Sequence, residues 1–84
     1  MPFTEQQQLI TVEGTIQNVD LLAREMQVAV AGAAHNFDVP ITCPVYVNDE
    51  RVKMRLLQPG DHVWVGFTRA EGRSVAQSLR VCPP

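Results

Sequence analysis

The sequence predicts an all-β fold, a small barrel of five or six strands with room for one short helical turn. Three observations carry that prediction. Apolar and polar residues alternate in segment after segment, with β-branched side chains at many apolar positions. Turn residues punctuate the chain at short intervals, as at Gln58-Pro59-Gly60-Asp61 and Glu71-Gly72. No amphipathic helix is available to cover a sheet face, so a sheet of this size must curl on itself to bury its apolar side.

Residues 1–8 are polar and include Gln6, Gln7 and Gln8, which reads as a flexible tail before a single barrel domain over 9–82. From Leu9 to Val19, Ile10, Val12 and Ile16 take one face of a first strand. Gly14 interrupts that inward face and marks the bulge or bend that lets the strand curl. Residues 18–25 form a hairpin loop. A second strand, Arg24–Ala31, points Met26, Val28 and Val30 inward and closes at Gly32. A third, Ala33–Thr42, puts His35, Phe37, Val39 and Ile41 on one face, with Pro40 at an edge or bulge. Val45 and Val47 point inward and Tyr46 outward, before a turn at Asn48, Asp49 and Glu50.

Residues 51–57 admit two readings. As a strand, Val52, Met54 and Leu56 point inward and three cations outward; as a helix, Val52 pairs with Leu56 and Met54 with Leu57. The favoured reading is a short strand or irregular segment followed by one helical turn near Leu56. His62–Ala70 is a clear strand with Val63, Val65 and Phe67 inward and Trp64, Gly66 and Thr68 outward. Arg73–Val81 is the last, with Val75, Leu79 and Val81 inward and Gln77 interrupting; Pro83 and Pro84 end it.

Gly14-Thr15-Ile16, Val19-Asp20, Val28-Ala29-Val30, Val45-Tyr46-Val47-Asn48 and Leu57-Gln58-Pro59-Gly60-Asp61-His62-Val63 together make a recognisable pattern, completed by Glu71-Gly72 before Val75-Ala76. The chain from Leu9 to Val81 resembles a group of small bacterial OB-like barrel domains that carry no assigned activity. It departs from the group in having Asp49 where a tight Asn-Gly turn is usual, and a basic segment after it. The resemblance implies an OB-like fold and brings no catalytic residues with it.

Composition narrows the function classes. Seven Lys and Arg face nine Asp and Glu, a formal charge of -2, which argues against gripping nucleic acid by bulk charge. No stretch approaches the ~18 apolar residues of a membrane span, and the first residues lack the pattern of a signal peptide, so no membrane partner and a cytoplasmic location are expected. Cys43 and Cys82 fit no zinc spacing; two reduced, partly buried thiols are expected ahead of a disulfide. His35 and His62 lack neighbouring ligands in sequence, and Asp38, Asp49, Glu50, Asp61 and Glu71 lie mostly in turns. Ser74 and Ser78 sit in no nucleophile motif. No enzyme, cofactor or metal is expected.

Two features remain as candidates for binding. Tyr46 and Trp64 both point outward by alternation, as anchors for a partner or as stacking platforms. A covering loop, the N-terminal tail or a second subunit would also account for them. Arg51, Lys53 and Arg55 form, on a strand, one cationic row spaced by roughly 6.6–6.8 Å. Such a row follows phosphates, or it guards an edge strand against aggregation. The leading expectation is a non-enzymatic interaction module acting through a homo-oligomer or a protein partner. The alternative is a single-stranded nucleic-acid binder, which requires the aromatic pair and the basic row to share one face.

Overall fold

The computed structural model describes residues 8–82. The expected tail over 1–8 therefore lies outside the described residues, save for Gln8. Seven strands run in chain order: β1 (Ile10–Asp20), β2 (Glu25–Val30), β3 (Ala33–Asp38), β4 (Val45–Val47), β5 (Glu50–Val52), β6 (His62–Ala70) and β7 (Arg73–Cys82). One 3₁₀ turn, Met54–Leu56, follows β5.

Five of the strands close a ring. β1 pairs antiparallel with β2 on one edge and β6 on the other, β2 pairs with β3, and β6 with β7. The ring shuts where Asp38 of β3 meets Val75 of β7 in parallel. This is the OB-like closure that the alternation and the resemblance predict. The segment between β3 and β6 adds the β4–β5 hairpin to the outside of the ring. β4 runs parallel to the second half of β7, pairing Val45–Val47 with Leu79–Val81.

Three two-residue turns explain the hairpins. Ala31-Gly32, Asn48-Asp49 and Glu71-Gly72 all have positive φ at both positions, the mirror-image turn whose twist matches paired strands. The turn at Gln58-Pro59-Gly60-Asp61 is tied to β1: Gly60 N–H donates to Ile16 O at 2.8 Å and Ile16 N–H to Asp61 O at 2.9 Å. The Asp61 carboxylate also accepts from Gln58 N–H. That bond gives the Leu-x-Pro-Gly-Asp pattern its physical sense: it launches β6 in register beside β1.

Ile16, Met26, Val28, Phe37, Val39, Val63, Val65, Leu79 and Val81 fill the barrel. Several inward assignments shift, each for a local reason. β3 ends at Asp38 rather than Thr42, because Pro40 has no N–H to continue the ladder and its carbonyl instead accepts from Cys43 N–H. Ile41 is consequently 82% exposed. His35 is exposed too, since the tip of the β2–β3 hairpin pairs only internally and reaches past the ring. Ile10 and Leu56 are also more exposed than alternation predicts, and the 3₁₀ turn buries Met54 and Leu57 instead of Leu56. In β7 the register slips between Gly66–Ser78 and Phe67–Ala76, leaving Gln77 as the extra residue of a bulge. The bulge flips the phase, so Ala76 is buried where Val75 was expected. Gln77 then donates to the Thr68 hydroxyl at 3.1 Å, which lets that polar residue lie buried on the outer side. Gly66, also expected outward, is buried beneath the Leu9 side chain.

Arg24, expected to open β2, instead takes φ 57° at the end of the β1–β2 loop. Its guanidinium donates to the carbonyls of Val39 and Pro40, and Val39 N–H donates to Arg24 O. The loop and the segment leaving β3 are thereby clipped together.

Candidate functional site

Tyr46 and Trp64 meet in one depression of about 550 Å³ on the outer face of the sheet. Strand register places them. Trp64 of β6 lies opposite Arg80 of β7, Arg80 lies opposite Tyr46 of β4, and Tyr46 lies opposite Arg51 of β5. Glu13 of β1 continues the row beyond Trp64. The Arg80 guanidinium sits 5.5 Å from the Tyr46 ring centroid, a cation–π contact, and 3.5 Å from the Asp49 carboxylate. The His62 ring stands edge-on to Trp64 with centroids 4.8 Å apart, and its Nε2 lies 2.8 Å from the Glu13 carboxylate. Both aromatic residues are half-buried and line the depression.

Arg80 is the residue that sequence reading missed. An exposed arginine in an alternating strand has no local signal, and only the β4–β7 pairing makes it the link between the two aromatics.

The basic segment lies elsewhere. Only Arg51 sits on a strand; Lys53 follows β5 and Arg55 belongs to the 3₁₀ turn, so the three do not form a strand row. They nevertheless line one groove of about 650 Å³ together with Arg24. Its floor includes Cys43, Val45, Val52 and Met54, and Leu21 and Ile41 stand at its side. The aromatic pair and the three cations therefore line two different depressions, joined only where Arg51 neighbours Tyr46.

Cys43 and Cys82 are unbonded, Cys43 buried and Cys82 exposed rather than partly buried. Burial pushes the Cys43 thiol up to about 11, against the pull of Arg24 and Arg51. Because this value exceeds that of a thiol in the unfolded chain, the unfolded state loses the proton first as pH rises. Stability from the buried neutral thiol is full below about pH 8.5 and is lost between there and about pH 11. The urea midpoint of the wild type should fall across that window more steeply than that of Cys43→Ala. Parallel curves for the two proteins would show that Cys43 does not carry the effect.

The fold defines the chain as a small OB-like barrel, and comparison with known structures agrees. Apo-CusF from Escherichia coli superimposes with a TM-score of 0.70 at 20% identity, over 90% of this chain and 89% of that one. The silver(I) form of Escherichia coli CusF gives 0.72 at 18% identity, over 90% and 94%. The fimbrial biogenesis protein PilY2 from Pseudomonas aeruginosa gives 0.61 at 14% identity, over 88% and 87%. No protein-family model and no curated protein matches the sequence.

The fold thus matches that of CusF. CusF is a periplasmic protein, which corrects the cytoplasmic expectation drawn from the N-terminal residues. CusF is also seen with silver, and a soft ion of that kind needs clustered thiolate, thioether or imidazole donors. Among the described residues no three His, Cys, Asp or Glu side chains converge, and Met26 and Met54 are buried in the core. These residues do not fit such a centre.

Proposed function

We propose that the chain is a non-enzymatic interaction module whose contact face is the row Trp64–Arg80–Tyr46, and that it takes a protein surface, a second copy of itself first among them. The observation that carries this reading is the shared depression: two aromatics from strands not adjacent in the sheet are brought to one concave patch, with an arginine between them. Trp, Tyr and Arg are the side chains that dominate contact energies when a partner excludes water from them. Nucleic acid is the weaker alternative, because three of the four groove cations stand apart from the aromatic row.

Trp64→Ala is expected to weaken association by about 2 kcal/mol, roughly thirtyfold in Kd, while leaving the far-UV spectrum unchanged. Sedimentation equilibrium of both proteins measures this. A wild type that stays monomeric, or a variant that associates as well as the wild type, would refute the assignment of this face to self-association.

A further inference from the structure

The groove beside β5 differs in chemistry from the aromatic depression. Four of the seven Lys and Arg residues line it: Arg24, Arg51, Lys53 and Arg55. No Asp or Glu lines it, and among the described residues none of the four is in an ion pair. The remaining three cations share the rest of the chain with all nine acids. Among the described residues, a chain of net charge -2 has therefore gathered four of its five unpaired cations along one groove, Arg69 being the fifth.

The groove also borders an open sheet edge. Among the described residues β5 ends the strand order and pairs only with β4. The two-residue turn makes Val47–Glu50 and Val45–Val52 the hydrogen-bonded pairs of this hairpin, so the N–H and C=O of Arg51 point to the unpaired edge. The groove beside that edge is lined by the aliphatic side chains Val45, Val52, Met54 and the exposed Ile41, while Tyr46, opposite Arg51, lines the other depression.

The geometry points to an extended, acidic segment of a partner protein, added as a strand to the edge of β5. Its backbone would pair with Arg51. Its carboxylates would meet Arg51, Lys53 and Arg55, and an alternate apolar side chain would enter the aliphatic floor, the division of labour of strand addition. The cations on this edge repel a basic strand and admit an acidic one. The lack of an aromatic platform argues against single-stranded nucleic acid here. This site adjoins the aromatic face only where Arg51 lies opposite Tyr46.

The test is an NMR titration of isotope-labelled protein with a short, end-blocked peptide alternating glutamate with valine. Amide shifts at Arg51, Val52 and Lys53 are expected, weakened by salt, with the Arg51 amide becoming protected from hydrogen exchange. The double variant Arg51→Glu/Lys53→Glu should lose at least about tenfold in affinity. A peptide N-methylated along its pairing edge should lose binding to the unaltered protein, which keeps the test valid if the double variant misfolds. Four outcomes overturn the proposal: equal binding of a lysine–valine peptide, shifts without protection of the Arg51 amide, tighter binding of a single-stranded oligonucleotide, or preference for phosphatidylglycerol vesicles.

Discussion

Gly14→Ala is expected to remove about 3 kcal/mol of stability, against roughly 4–12 kcal/mol available to a domain of 84 residues. At Gly14 β1 leaves β6, with which it pairs over Ile10–Thr15, and joins β2, with which it pairs from Thr15 onward. The strand can turn only by bringing its backbone onto β2. A Cβ on residue 14 would lie 2.2 Å from the Ala29 carbonyl oxygen and 2.9 Å from Val28 Cγ1. The first of these is backbone, held by the pairing of Ala29 with Thr15, so relief requires β2 to move. Gly72→Ala is the control. Nothing lies within 4 Å of a Cβ there, and only the positive φ of 77° is strained, so a loss of about 1 kcal/mol is expected. Urea unfolding of both variants separates the two effects. Equal losses at the two positions would mean that the contact at Gly14 is not what makes glycine necessary.

Gly14 reads in the sequence as the bulge or bend of β1; the structure shows a close backbone approach there, while the bulge falls between Ile16 and Asn18. The strands and hairpin turns were legible because each is set by residues close together in the chain. The errors fall where something distant decides. Ile41 keeps the inward phase of β3 on paper, yet the strand has already ended at Asp38, where it meets Val75 of β7. The phase of Val75 is changed by a bulge opposite Gly66 and Phe67, and nothing in residues 73–81 alone announces it beyond the misplaced Gln77.

The candidate sites divide the same way. That Tyr46 and Trp64 point outward follows from alternation. That they share a depression depends on β4 joining β7 in parallel, a pairing between residues over thirty positions apart in the chain. The basic residues were found by their density in the sequence, and their geometry was not. Arg24 reaches their groove because the β1–β2 loop is clipped to the segment leaving β3. The exposed Leu21 of that loop and Ile41 of that segment arrive with it. Chain topology, rather than local pattern, assembles both binding surfaces.

Phe37→Ala is expected to cost about 4 kcal/mol, from a third to the whole of the roughly 4–12 kcal/mol available to a domain of this size. Phe37 is 2% exposed and packs edge-on against Phe67, with centroids 5.0 Å apart. The contact matters because of where it lies. Phe37 is opposite Met26 on β2 and one residue before Asp38, the point at which β3 meets β7 and shuts the ring. Phe67 stands at the bulge where β6 and β7 change register. The ring pair therefore fills the barrel beside its weakest seam, a single residue of parallel pairing reinforced by Arg73 on the Asp38 carboxylate. Alanine at position 37 leaves a cavity there that the curled strands cannot collapse to fill. Phe37→Leu keeps most of the volume and loses the edge-on contact, so a smaller loss of about 1.5 kcal/mol is expected. Chemical unfolding of the leucine variant gives a measurable midpoint even if the alanine variant does not fold. Losses under about 1 kcal/mol for the alanine variant would show that the seam is held without this ring pair.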